Sequence, residues 1–110
     1  AVNWLIAHLV GDYLFQNDWM ALNKKQRSWP CIVHCWAYTL SVALLTMWPW
    51  WALAIVFVTH FIQDRTQIIA WWMKSIGQSK FMGPPCAPWS IIVVDNVWHL
   101  VVLYAISLAV

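Results

Sequence analysis

Three histidines and three aspartates in this chain sit in pairs four residues apart: His8 with Asp12, His60 with Asp64, and Asp95 with His99. A spacing of four puts both side chains of a pair on the same face of a helix. An imidazole and a carboxylate so placed can ligate one metal together, or the carboxylate can orient the ring from behind. Nitrogen and oxygen donors of this kind suit divalent Zn, Mn or Fe, while the three Cys lack the clustering that iron–sulfur chemistry needs. We therefore expect His8, Asp12, His60, Asp64 and His99 to hold a divalent metal, Zn or Mn ahead of Fe. Asp95 is the expected catalytic base, taking the proton of a water acidified at the metal. The competing reading is that the pairs are polar clasps between helices. Three pairs at one depth favour metal or proton chemistry, because every ionisable group at membrane depth is expensive.

The elements that must carry these residues are apolar. The composition is 63% hydrophobic and 9% charged, with eleven Trp among 110 residues. A soluble domain averages about 25% charged residues, and one this small buries the least of its apolar surface. Trp concentrates at membrane interfaces. The composition predicts an integral membrane protein, and the net charge of +2 excludes nucleic acid as a partner. The expected fold is a single all-α domain over residues 1–110, an antiparallel up-down four-helix membrane bundle with short loops. Its helices are expected at about 2–23, 30–48, 50–74 and 89–110.

Lys24, Lys25, Arg27, Lys74 and Lys80 fall in the first and third connections, and the second connection has no basic residue. The positive-inside rule then puts connections one and three in the cytoplasm and both termini outside. The expected location is the inner (cytoplasmic) membrane of a bacterial cell, with the lipid bilayer as partner and a homo-oligomer or larger membrane complex allowed. Asp12, Asp64 and His99 each lie roughly ten residues, about 15 Å, from the expected cytoplasmic ends, near the midplane of a hydrocarbon core about 30 Å thick. His34 lies only about one turn from its helix end, so it is left outside the ligand set. Arg65 is expected as a counter-ion for the carboxylates, and Gln16, Gln67 and Asn96 either as hydrogen-bonding supports or as plain helix contacts. Tyr13, Tyr38 and Tyr104 read as packing or interface residues, and Cys31 and Cys35 as small apolar packing.

Three stretches together resemble a known family: residues 8–24 from His8-Leu-Val-Gly-Asp through Ala-Leu-Asn-Lys24, Thr59-His-Phe-Ile-Gln-Asp-Arg65, and Val94-Asp-Asn-Val-Trp-His-Leu100. The family is one of small polytopic membrane proteins of bacteria and tailed phages, known as a domain of unknown function. The resemblance covers most of the chain and implies a membrane location and a shared His/Asp set, with no established activity. The pattern is more loosely similar to membrane-bound metal-dependent hydrolases, although His-x-Asp-x-Asp and Pro-Asp-x-Asp signatures are absent.

Three functions are consistent with these features. The first is a metal-dependent hydrolase acting on a lipid or lipid-linked substrate. The second is a proton or metal-ion transporter or channel using the same polar stripe. The third is a non-enzymatic phage membrane factor or an accessory subunit of a membrane complex. Hydrolysis requires a water-reachable cavity beside the metal, transport a path through the molecule, and the accessory role neither.

Overall fold

Asn17 caps a helix that starts just beyond the first His–Asp pair, and this cap divides the N-terminal segment. The computed structural model describes residues 3–14 and 16–110. Helix α1 (Asn3–Leu9) runs into a π-helical turn (Val10–Leu14), and α2 (Asp18–Asn23) follows. The Asn17 side chain accepts a hydrogen bond from the Met20 amide at 3.0 Å, meeting one of the unsatisfied N–H groups of the new helix. The expected helix over 2–23 is therefore two helices joined through a wide turn; Val2 and Phe15, which belong to that expectation, lie outside the described residues.

The remaining elements are α3 (Ser28–Thr46), α4 (Trp50–Arg65), α5 (Ile68–Ser75) and α6 (Trp89–Ser107). No strand occurs among the described residues. Helix α3 carries Pro30 in its first turn, where the missing N–H is harmless, and ends at Met47 in the left-handed region with φ 56°. The expected helix over 50–74 breaks at Thr66, whose backbone is extended. Lys25 explains the break: its Nζ donates to the carbonyls of Gln63, Asp64 and Thr66 at 3.3, 3.1 and 3.2 Å. A lysine at a helix C-terminus satisfies orphan carbonyls and opposes the negative end of the helix dipole.

Helix α1 packs on α3 and α6, α3 on α4, and α4 on α6, so these four each touch two others and enclose a common interior. Helix α2 lies against α3, and α5 against α4 and α6. One end of the interior is an apolar layer of Ala7, Tyr38, Val42, Ala52, Val56, Leu103 and Ile106, closed over by Trp4, Trp48, Leu53 and Val102. Beyond that layer the interior becomes polar: His8, Asp12, His34, His60, Asp64 and His99 are all buried. The outer surface is the reverse, with Trp36, Leu40, Leu44, Val58, Val97 and Val101 among the exposed residues. Two helices, α3 and α6, are long and apolar enough to cross a membrane.

Candidate metal centre

Gly11 sets how closely the π-helical turn approaches α3. A Cβ there would lie 2.7 Å from Tyr38 Cδ2 and 3.1 Å from Tyr38 Cα, so only glycine fits without movement. The close approach brings Asp12, the next residue, against His34 on the second turn of α3. A π-type turn inside a helix is frequently found at functional sites. From the other side, α4 contributes His60 and Asp64, one turn apart at its C-terminal end.

Four donor atoms converge between these elements. His34 Nε2 lies 3.1 Å from Asp12 Oδ1 and 3.0 Å from Asp64 Oδ2. His60 Nε2 lies 3.5 Å and 3.0 Å from the same two oxygens. The two Nε2 atoms are 2.9 Å apart. Ligands on a tetrahedral ion with bonds of about 2.0–2.1 Å stand about 3.3–3.4 Å from one another. The five separations bracket that value, and the two-nitrogen, two-oxygen donor set suits a divalent transition metal.

Hydrogen bonding does not account for the cluster. Asp12 Oδ1 and Asp64 Oδ2 are buried and have no hydrogen-bond partner among the described residues, despite nitrogens within 3.0–3.1 Å. At most one proton can lie between the two Nε2 atoms. Buried carboxylate oxygens left unpaired are costly; at Asp64 Oδ2 the Lys24 ammonium, 3.1 Å away, offsets part of that cost, and a metal cation would meet the rest together with that of Asp12 Oδ1. The outer nitrogens, His34 Nδ1 and His60 Nδ1, also lack partners. Packing holds these rings instead, with Tyr38 stacked on His60 at a centroid separation of 3.8 Å. This Asp12, His34, His60 and Asp64 group could hold a metal ion.

The structure thus brings Asp12, His60 and Asp64 together in a group that could hold a metal ion and adds His34, which the depth comparison left out. The expected depth changes because α4 ends at Arg65, so Asp64 lies in its last turn rather than ten residues inside a longer helix. His8 is placed differently from its expected role. Its Nε2 donates to Asn96 Oδ1 at 2.8 Å and its Nδ1 accepts from Tyr38 Oη at 2.7 Å, which leaves no nitrogen for a metal. The Asn96 amide is oriented for this by donating to Tyr13 Oη and to the Ile92 carbonyl. His8 Nε2 stands 3.7 Å from Asp12 Oδ2, behind the ligand rather than among the ligands.

His99 and Asp95 stand beside Asp64 on its other side. His99 Nε2 is 3.4 Å from Asp64 Oδ1, and His99 Nδ1 is 2.6 Å from the Asp95 carbonyl and 3.6 Å from Asp95 Oδ2. The counter-ion is Lys24 rather than Arg65. Lys24 Nζ is 3.1 Å from Asp64 Oδ2; burial works against its charge, but Asp64 and Asp12 outweigh it and hold the ammonium above its ordinary pKa. Arg65 is used elsewhere, donating to the Lys25 carbonyl at 2.7 Å and to Ser28 Oγ at 3.3 Å.

A cavity of about 310 Å³ opens beside the cluster. Its lining includes the polar residues Asp12, Lys24, Asp95 and Asn96 and the apolar residues Ile69, Ala70, Ile91 and Ile92. Gln16 and Gln67 also reach it, and Gln16 donates to the Asp12 carbonyl at 3.1 Å.

The chain belongs to the family described as "Protein of unknown function (DUF3307)", whose model matches residues 1–110. No curated protein and no solved structure matches it.

Proposed function

We propose that this member of the DUF3307 family is a membrane-embedded, metal-dependent hydrolase acting on a lipid or lipid-linked substrate. The observation that carries the reading is the cavity beside the cluster, whose lining combines Asp12 and Asp95, the latter with Oδ1 unpartnered among the described residues, with the aliphatic side chains of Ile69, Ile91 and Ile92. Water and the polar part of an amphiphile reach the centre from one side, and its chains lie along Ile69, Ile91 and Ile92.

The membrane placement rests on the inverted distribution of side chains, ionisable groups within and Leu, Trp and Val outside. An outer surface this apolar is stable in lipid and a liability in water. The four helices that enclose the centre then form the membrane bundle, with the Lys24 and Lys80 connections on the cytoplasmic side.

Asp12, His34, His60 and Asp64 would hold a divalent cation, which when bound would supply Lewis acidity and acidify water near neutral pH. Asp95 accepts the proton of the attacking water through Oδ1, which has no other partner among the described residues. Lys24 adds positive charge to the cavity wall, drawing the anionic part of a substrate toward the reacting position. Conduction is disfavoured by the apolar layer of Val42, Val56, Leu103 and Ile106, which separates the centre from the far end of the molecule.

The test is hydrolysis of phospholipids and lipid-linked phosphates in mixed micelles, with release of the water-soluble group followed by mass spectrometry. The expected result is release by metal-loaded protein and a loss of about 10²–10⁴-fold in Asp95→Asn, the range for removing a general base. Metal-replete protein that cleaves none of these, but carries proton or metal flux in proteoliposomes, would replace hydrolysis with transport.

A further inference from the structure

Asp64 presents its two oxygens to two different sets of donors. Oδ2 faces His34 and His60, both at 3.0 Å, and Oδ1 faces His99 Nε2 at 3.4 Å. A donor atom from each of Asp64, Asp95 and His99 lies within 4.8 Å of the others. We propose that Asp64 bridges two divalent cations: the one already assigned to Asp12, His34 and His60, and a second held by His99, Asp95 and Asp64 Oδ1. The inference rests on the metal reading of the first cluster.

The hydrogen bonding of His99 points to the second ion. A carbonyl can only accept, so the 2.6 Å contact with the Asp95 carbonyl puts a proton on His99 Nδ1. In the neutral ring Nε2 then carries a lone pair, the form that ligates metal. That lone pair is turned toward a carboxylate, in an environment where His99 is only 2% exposed. His99 Nε2 has no hydrogen-bond partner among the described residues. Asp95 Oδ1 is likewise unpartnered. With the proton on Nδ1, Nε2 and Asp64 Oδ1 face each other across 3.4 Å, a gap that a divalent cation would fill. The Asp95 backbone carbonyl behind Nδ1 is the outer contact that orients a ligating histidine.

A carboxylate bridge holds ions at the spacing of about 3.5–4 Å seen in two-metal hydrolytic sites. The second position lies on the cavity side, because Asp95 lines the cavity wall. Asp95 can ligate through one oxygen and keep the other for the proton of the attacking water.

The experiment is equilibrium dialysis of the full chain in mild detergent against Mn²⁺, with electron paramagnetic resonance of the bound ions, on wild type, His99→Ala and Asp95→Asn. The expected result is about two ions per wild-type chain with an exchange-coupled signal. Each variant should fall to about one ion with an isolated-ion signal. Asp95→Asn preserves shape and serves where His99→Ala does not fold. A single isolated ion in the wild type would overturn the second site and leave the first intact. No bound ion in folded protein would overturn both.

Discussion

His34 enters the cluster with one nitrogen among the donors and the other without a partner, and it has no freedom to turn away because it is wholly buried. Asp12 Oδ1 beside it has no hydrogen-bond partner among the described residues, and Asp64 Oδ2 has the Lys24 ammonium at 3.1 Å. Residues in this position are expected to bind metal together, so Asp64→Asn and His60→Ala should each abolish retention of the metal through purification, read as metal per chain. His8→Ala is expected to act differently, because His8 reaches Asp12 only from behind. It should keep the stoichiometry and weaken affinity by about 10–100-fold, as loss of an outer contact does, read by competition with a chelator. Asp12, His60 and Asp64 were legible in the sequence as polar pairs one turn apart, since that spacing is a property of the helix itself. His34 was not, because its pairing is across helices. The one local signal was Tyr38, four residues on and on the same face, which stacks on His60 and hydrogen-bonds His8.

The π-helical turn and the C-terminus of α4 decide whether these residues meet. Gly11→Ala puts a methyl group 2.7 Å from the Tyr38 ring, and overpacking of this kind costs about 1–3 kcal/mol. The expected outcome is a lower Tm together with weaker metal binding, because the strain displaces Asp12. Lys25→Met removes the ammonium from three carbonyls at the end of α4 and should destabilise by about 1 kcal/mol, measured by thermal unfolding in detergent. The long apolar runs made α3 and α6 legible from hydropathy alone. The breaks at Asn17 and Thr66 were not, because both depend on partners that composition does not reveal: a side-chain cap to Met20 and a lysine from a preceding loop. Those breaks move Asp64 to a helix end and bring Lys24 close enough to pair with it.

Among the described residues, the clustered His and Asp groups are gathered in the interior beside an apolar layer of Val42, Val56 and Leu103, while many large apolar side chains are exposed. The buried-polar, exposed-apolar arrangement was partly legible in the His–Asp pairs set within apolar runs, and the charge difference between connections gives an expected orientation. Cys86, in the connection between α5 and α6, is partly exposed while Cys31 and Cys35 are buried. A membrane-impermeant maleimide is therefore expected to label Cys86 in inside-out vesicles and spare it in right-side-out ones; the opposite pattern would reverse the orientation. The convergence of four donors remains the centre of the account, and one measurement addresses it most directly. The chain is purified in mild detergent without chelator, and metal per chain is measured by plasma mass spectrometry for wild type and His34→Ala, with helicity and elution volume as checks on folding. At least about one transition-metal ion is expected in the wild type and none in folded His34→Ala. Folded wild type that stays metal-free after addition of Zn²⁺ or Mn²⁺, or a variant that binds as much as wild type, would contradict it.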